Sequence, residues 1–315
     1  MLDKLSNHQK ILVTGGRGFI GRYVVENLLQ AGNRPFIFTR NPDLPHRDAG
    51  SVETVKMDLL DHAAVGEWLK RERPEIIFHF AGTMGRGDET GEECERLNFT
   101  ATANLLNYAG EIDCQRIIVL GSADEYGHHA GRQHEDLPQQ PVSHYAVSKT
   151  RSTRFALEKY RESNLPVVVL RIFSAYGAGQ PAQMFVAQAL DSALNGKVFE
   201  MTEGTQKRDL VFIEDAIRGV LASAVVPQAS GKIINLATGQ ATALRDVAKL
   251  IWRLTDADSG LLKIGARTAT NAENHDTWAD IERARRILDW QPLVSLEDGL
   301  LRTIEKMRTK FSQTA

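Results

Sequence analysis

The sequence predicts an α/β fold, a doubly wound parallel sheet followed by a smaller C-terminal α+β domain. Three observations predict it. The apolar run Ile11–Val13 leads into Gly15, Gly16, Gly18 and Gly21, and an amphipathic stretch (Phe19, Ile20, Tyr23, Val24, Leu28) follows. Short apolar runs then alternate with helical patterns as far as Arg171, which is the signature of βαβ units. Past Phe173 the alternation stops and shorter strands mix with helices.

The first strand, glycine turn and helix form a phosphate cradle of the Rossmann type. Glycines let the backbone turn tightly and approach a pyrophosphate, and the helix N-terminus offers free N–H groups at its positive end. Two registers fit, Gly16-x-Gly18-x-x-Gly21 and Thr14-Gly15-x-x-Gly18-x-x-Gly21. The helix spans about 19–31 and stops at Gly32. Residues 35–39 form the second strand. About 20 residues past the glycines, an acid is expected where the fold binds the ribose of NAD. Thr39 and Arg40 stand there instead. A neutral residue followed by a cation suits the 2′-phosphate of NADP better, with NAD as the alternative.

Residues 51–57 form a third strand ending at Asp58-Leu59, and a helix over 61–72 stops before Pro74. Glu75–Phe80 is a fourth strand that runs into Ala81-Gly82 and a glycine-rich loop. A long helix over 90–110, a strand Ile117–Leu120 ending at Gly121-Ser122, and a loop to Pro141 follow. Ser143 caps a helix over 144–163, and Pro166–Arg171 is the sixth strand. Ligands bind beyond the carboxyl ends of such strands, where Gly15, Arg40, Asp58, Ala81, Ser122 and Ser174 collect. Residues 174–183 read as a loop. Helices over 183–195, 214–225, 242–254, 279–288 and 295–309 follow, with strands at 198–201, 232–236 and 261–264. The domain boundaries are 1–173, with 210–237 returning to the first domain, against 174–209 and 238–315.

Composition excludes several function classes. The 315 residues carry a formal net charge of -2, with 42% hydrophobic and 25% charged residues. Nothing points to nucleic acid or an anionic membrane surface. No apolar run approaches the roughly 20 residues of a membrane span. The polar N-terminus has no signal-peptide core, and two cysteines, Cys94 and Cys114, fit a reducing cytosol. The expected location is cytoplasmic. His128, His129 and His134 lie on a polar loop without cysteines at ligand spacing, so no metal is expected.

Tyr145 and Lys149 lie four apart on one helix, and both side chains leave the same face. An ammonium beside a phenol favours the phenolate, which makes Tyr145 a usable acid/base. Ser122, at the end of the preceding strand, is placed to hydrogen-bond a carbonyl oxygen during proton transfer.

With these residues in place, the chain resembles an extended short-chain dehydrogenase/reductase of the nucleotide-sugar epimerase, dehydratase and 4-ketoreductase class. The resemblance rests on Thr14–Gly21, Asp58-Leu59, His79–Gly82, Asn98, Gly121–Gly127, Tyr145–Lys149, Leu170–Gly177, Arg208–Asp215 and Leu288–Pro292. It implies that Gly15, Arg17, Gly18, Phe19, Ile20 and Gly21 hold the pyrophosphate, and that Asp58 and Leu59 touch the adenine. Phe80, Ala81 and Gly82 would pass the nicotinamide, and Lys149 would bind its ribose. Tyr145 would be the acid/base and Ser122 its partner. Arg208 would meet the sugar nucleotide's phosphates, or else form a salt bridge to Asp209 or a neighbour. Thr83, Asp124 and Ser174 are further substrate candidates. A homodimer through the helices over 90–110 and 144–163 is also implied.

Three departures from the family pattern matter. Dehydratases of the class place Asp-Glu directly after the serine or threonine, where this chain has Ala123 and Asp124. The wording Gly121-Ser-Ala-Asp-Glu-Tyr-Gly127 is nearer to GDP-4-keto-6-deoxymannose reductases. Ser174 replaces a frequent Asn. The expected activity is therefore NADP-dependent reduction of an NDP-4-keto-6-deoxy sugar. The alternatives are an NDP-sugar 4-epimerase and an atypical dehydratase. Glu125 is expected either in the sugar pocket or facing solvent.

Overall fold

The computed structural model describes residues 9–42, 52–84, 90–129, 131–268 and 276–314. Its first half alternates strand and helix: β1 (Ile11–Thr14), α1 (Phe19–Gln30), β2 (Phe36–Thr39), β3 (Glu53–Lys56), α2 (His62–Glu72) and β4 (Ile76–His79). Next come α3 (Gly91–Cys94), a π-helical segment (Glu95–Thr100) and α4 (Ala101–Ala109). Then follow β5 (Arg116–Leu120), a 3₁₀ turn (Ala123–Tyr126), α5 (His144–Ser163), β6 (Val167–Ile172) and β7 (Ser174–Tyr176). The second half holds α6 (Phe185–Leu194), β8 (Phe199–Met201), β9 (Lys207–Arg208), β10 (Leu210–Phe212), α7 (Ile213–Val225) and β11 (Lys232–Leu236). It closes with β12 (Thr242–Ala243), α8 (Leu244–Thr255), β13 (Leu262–Ile264), α9 (Glu282–Leu288) and α10 (Leu296–Thr314).

Seven strands form one sheet in the order β3-β2-β1-β4-β5-β6-β11, and every pair in it is parallel. The order reverses between β1 and β4, so their carboxyl ends open the crevice in which such sheets bind ligands. Alternate residues feed two cores. Ile11 and Val13 face one, with Val168 and Leu170. Leu12 faces the other, with Val167 and Val169. Burial on both faces explains why these strands are continuous apolar runs rather than alternating ones.

Two expectations need correction. Residues 174–176 are not loop: β7 pairs in parallel with β10. Its serine and single aromatic gave no strand signal, and its partner lies far along the chain. The helix expected over 90–110 contains the π-helical segment. One carbonyl there, that of Asn98, accepts from Thr102 Oγ1 at 2.5 Å and Ser152 Oγ at 3.0 Å. Among the described residues, no helix is long and apolar enough to cross a membrane.

The seam between β1 and β4 carries a directional chain of hydrogen bonds. Thr102 Oγ1 spends its hydrogen on the Asn98 carbonyl, so it accepts from His79 Nε2–H at 2.9 Å. His79 Nδ1 therefore accepts from Thr14 Oγ1 at 2.7 Å. Thr14 Oγ1 in turn accepts the Ala81 N–H at 3.2 Å. Protonating His79 would place a second donor against Thr14 and a charge in the core. Burial, with the Lys149 charge adding to it, pushes the imidazole down to about 3 from 6.5.

This gives a pH prediction. The unfolded chain binds one more proton than the folded chain between those two values. Stability contributed by neutral His79 is complete above 6.5 and is lost as pH falls toward 3, by about 1.4 kcal/mol per unit. Urea denaturation at a series of pH values should show this limb, and His79→Gln should flatten it.

Candidate active site

The glycine turn is built by close approach. Gly15 has φ +67°, and a Cβ there would lie 2.6 Å from the Phe80 carbonyl carbon and the Ala81 nitrogen. A Cβ on Gly21 would lie 2.2 Å from the Gly15 carbonyl oxygen. These contacts bring α1 and the end of β4 against the turn. Gly18 is the N-cap of α1; no side chain caps the helix and no acid lies in its first turn. Its leading N–H groups therefore face outward at the positive end of the helix, which fits a pyrophosphate.

The residues expected along a dinucleotide line the same edge. Arg17 donates to the carbonyls of Asn41 and Pro42, the latter at 3.2 Å, and so ties the turn to the chain after β2. Arg40 is exposed there. Asp58 follows β3, and its Oδ1 accepts the Leu60 N–H at 3.0 Å; Leu59 is buried beside it. Phe19 and Ile20 are half-buried on α1. Phe80, Ala81 and Gly82 continue β4, and Thr83 N–H donates to Asn98 Oδ1 at 2.9 Å.

Ser122, Tyr145 and Lys149 are carried by two elements, the 3₁₀ turn and α5. Ser122 is the N-cap of the 3₁₀ turn, and its Oγ accepts the Asp124 N–H at 3.1 Å. That bond uses a lone pair and leaves the hydroxyl hydrogen able to donate. Tyr145 and Lys149 lie in the first two turns of α5, which Ser143 caps through the Ala146 N–H at 3.1 Å. Tyr145 is half-buried and Lys149 buried. Burial lowers the Lys149 ammonium to about 8, against the opposing pull of Glu125.

Asn98 links both halves of the crevice. Its Nδ2 donates to Ser148 Oγ at 2.9 Å, and Ser148 donates to the Tyr145 carbonyl at 2.8 Å. Asn98 thus joins Thr83 to the Tyr145 end of α5. The family resemblance includes Asn98 without assigning it a role.

Several sequence expectations change here. Glu125 neither faces solvent nor enters a sugar pocket. It is fully buried and ion-paired to Arg171 at 2.8 Å. The spacing Ser122-x-x-Glu125 is a capping-box signature, and the reciprocal bond is present: Ser122 N–H donates to Glu125 Oε1 at 2.7 Å. That signal was legible. Asp209 is not the partner of Arg208. Its carboxylate accepts the N–H groups of Thr238, Gly239 and Ala279 at 2.7, 2.8 and 3.2 Å. Arg208, on β9, donates to the Lys207 carbonyl at 2.9 Å and is half-buried. Asp124 is exposed and Ser174 half-buried at the start of β7. His129 Nε2 bonds the Pro138 carbonyl at 2.8 Å.

Residues 11–237 match the model of the NAD dependent epimerase/dehydratase family. A UDP-glucuronate 4-epimerase from Thermodesulfobacterium geofontis is 28% identical over 315 residues, covering 93% of this chain and 94% of the relative. A dTDP-6-deoxy-L-talose 4-dehydrogenase (NAD(P)(+)) from Kitasatospora kifunensis is 28% identical over 302 residues, covering 92% and 93%. Among solved structures, MoeE5 in complex with UDP-glucuronic acid and NAD superposes with a TM-score of 0.85 at 28% identity, covering 96% of this chain and 99% of the other. The matched range includes the glycine turn, the Ser122 loop and the head of α5. This chain belongs to the NAD dependent epimerase/dehydratase family and is an enzyme of the extended short-chain dehydrogenase/reductase class.

Proposed function

We propose that the chain is an NDP-sugar 4-epimerase that works with a bound nicotinamide dinucleotide. The observation that carries this reading is the set Ser122, Tyr145 and Lys149 with a methyl group, Ala123, where a dehydratase of the class has an acid. A nicotinamide dinucleotide held by the glycine turn and Lys149 would supply the hydride acceptor and donor for C4. Tyr145 takes the proton from the C4 hydroxyl and gives it back after the keto sugar has turned over. Ser122 donates a hydrogen bond to the same oxygen throughout. The Lys149 charge favours the tyrosinate and holds the nicotinamide ribose. The 4-epimerase relative and the UDP-glucuronic acid and NAD complex support this over reduction as the main activity.

In this reading the glycine turn, Arg17, Asp58, Leu59 and Phe80–Gly82 hold the dinucleotide. Thr83, Asp124, Ser174 and Arg208 face the sugar nucleotide, with Arg208 on its phosphates. Residues 1–173 and 210–237 form the dinucleotide domain, and 174–209 and 238–315 the substrate side. Two copies join through α3–α4 and α5, where Val147 is 42% exposed and Arg151 covers the Phe99 ring at 4.1 Å. Light scattering should give twice the 35.0 kDa chain mass, and a monomer would remove the dimer from the account.

Thr39 and Arg40 favour a second reading, the NADP-dependent 4-ketoreductase, and the 4-dehydrogenase relative supports it. One assay separates the two. Protein is mixed with NDP-hexoses, or with NDP-4-keto-6-deoxy sugars, in the presence of NAD, NADP or their reduced forms. An isomerised sugar with no net change in reduced cofactor is the expected result; stoichiometric loss of NADPH would replace epimerisation by reduction. Tyr145→Phe should lower either rate by on the order of 100-fold or more, with dinucleotide affinity little changed. Arg40→Ser should weaken NADP binding and leave NAD binding in place if Arg40 meets the 2′-phosphate.

A further inference from the structure

Beneath Ser122 lies a carboxylate that no step above uses. Glu125 is fully enclosed and accepts four hydrogen bonds from four parts of the chain. Oε1 takes the Ser122 N–H at 2.7 Å and Thr153 Oγ1 at 3.0 Å. Oε2 takes Arg171 Nη2 at 2.8 Å and Gln139 Nε2 at 3.0 Å. Arg171 is equally buried, and its guanidinium lies over the Tyr126 ring at 4.2 Å. Burying such a pair costs desolvation that its attraction barely repays, and an apolar pair of the same volume would often be as stable. Its geometry is the more informative property.

Thr153 stands four residues beyond Lys149 and eight beyond Tyr145 on α5, so all three share a helix face. A single carboxylate oxygen therefore binds both the backbone that carries Ser122 and the face that carries Tyr145 and Lys149. We propose that Glu125, clamped by Arg171 on β6, is a positioning residue that sets the separation of the Ser122 hydroxyl from the Tyr145 phenol. The inference rests on the reading that these two groups act on one sugar oxygen. It holds for oxidation at C4 and for reduction alike.

Charge adds a second consequence. Lys149 is faced by Glu125 from the 3₁₀ turn and by neutral His79 from β4. Glu125 is itself faced by Arg171 from β6 and Lys149 from α5, and Arg171 in turn by Tyr126. The Glu125 charge keeps Lys149 protonated to higher pH than burial alone would allow.

Thr153→Val removes the tether at constant shape and charge, and Thr153→Ser restores the hydroxyl. Glu125→Gln combined with Arg171→Met removes both buried charges together. In Thr153→Val, kcat should fall about tenfold, since small displacements of reacting groups are costly, while both KM values stay within about twofold of the parent. Thr153→Ser should recover most of that loss. In the double variant the alkaline limb of kcat should move to lower pH. Backbone hydrogen exchange over 120–127 should quicken in Thr153→Val but not in Thr153→Ser.

An unchanged kcat in Thr153→Val, or a loss that serine does not restore, overturns the proposal. An unmoved pH limb in a folded double variant overturns its electrostatic part. If circular dichroism shows the double variant unfolded, the electrostatic part is read from Glu125→Gln alone, with the same expected and contrary results. If the parent acts on no NDP-sugar, the functional reading fails, and hydrogen exchange still decides whether the tether exists.

Discussion

The hydrogen bond between Thr14 and His79 sits where the sheet reverses its strand order, and the site is assembled outward from it. Thr14 ends the strand that enters the glycine turn, and its hydroxyl also holds the Ala81 N–H. His79 ends β4 and reaches Thr102 on α4. Thr102 returns to the carbonyl of Asn98, whose side chain joins Thr83 to Ser148 and so to Tyr145. The glycine turn, the end of β4 and the head of α5 are thus members of one bonded chain. Because His79 is kept neutral by burial, each hydroxyl along it has one assigned donor direction. A charged imidazole would reverse one of those directions.

A second buried network, around Glu125 and Arg171, lies on the Ser122 side. The two networks meet at α5: Asn98 holds its Tyr145 end through Ser148, and Glu125 holds it one turn past Lys149 through Thr153. Between these anchors lies Lys149, enclosed enough to be shifted down yet still largely protonated near neutrality. A site of this kind needs a cation that is weakly hydrated and fixed, since water would screen its effect on the phenol.

Much of the fold was legible in the sequence because parallel strands buried on both faces leave unbroken apolar runs, and helices between them leave amphipathic ones. The glycine turn, Ser122, Tyr145 and Lys149 were legible because their spacing is local. Arg171 and Thr153 were not, because their partner Glu125 is brought to them only by the packing of β6 and α5. β7 escaped for the same reason: a three-residue strand declares itself only through β10. The π-helical segment was hidden because it keeps the helical pattern while shifting its phase. Glu125 was half legible: its spacing from Ser122 announced a cap, but not a buried one. The reading of activity turned on a single small side chain, Ala123, and full-length relatives gave epimerisation more support than reduction.

The central claim is that Tyr145 and Ser122 open and close one sugar carbinol while its hydrogen stays within the site. An NDP-hexose carrying deuterium at C4, turned over in ordinary water, tests it most directly. The account predicts a C4-epimerised product that retains the deuterium at C4, with none lost to solvent. Washout of the label, or its appearance in a released reduced dinucleotide with no epimer formed, would contradict it.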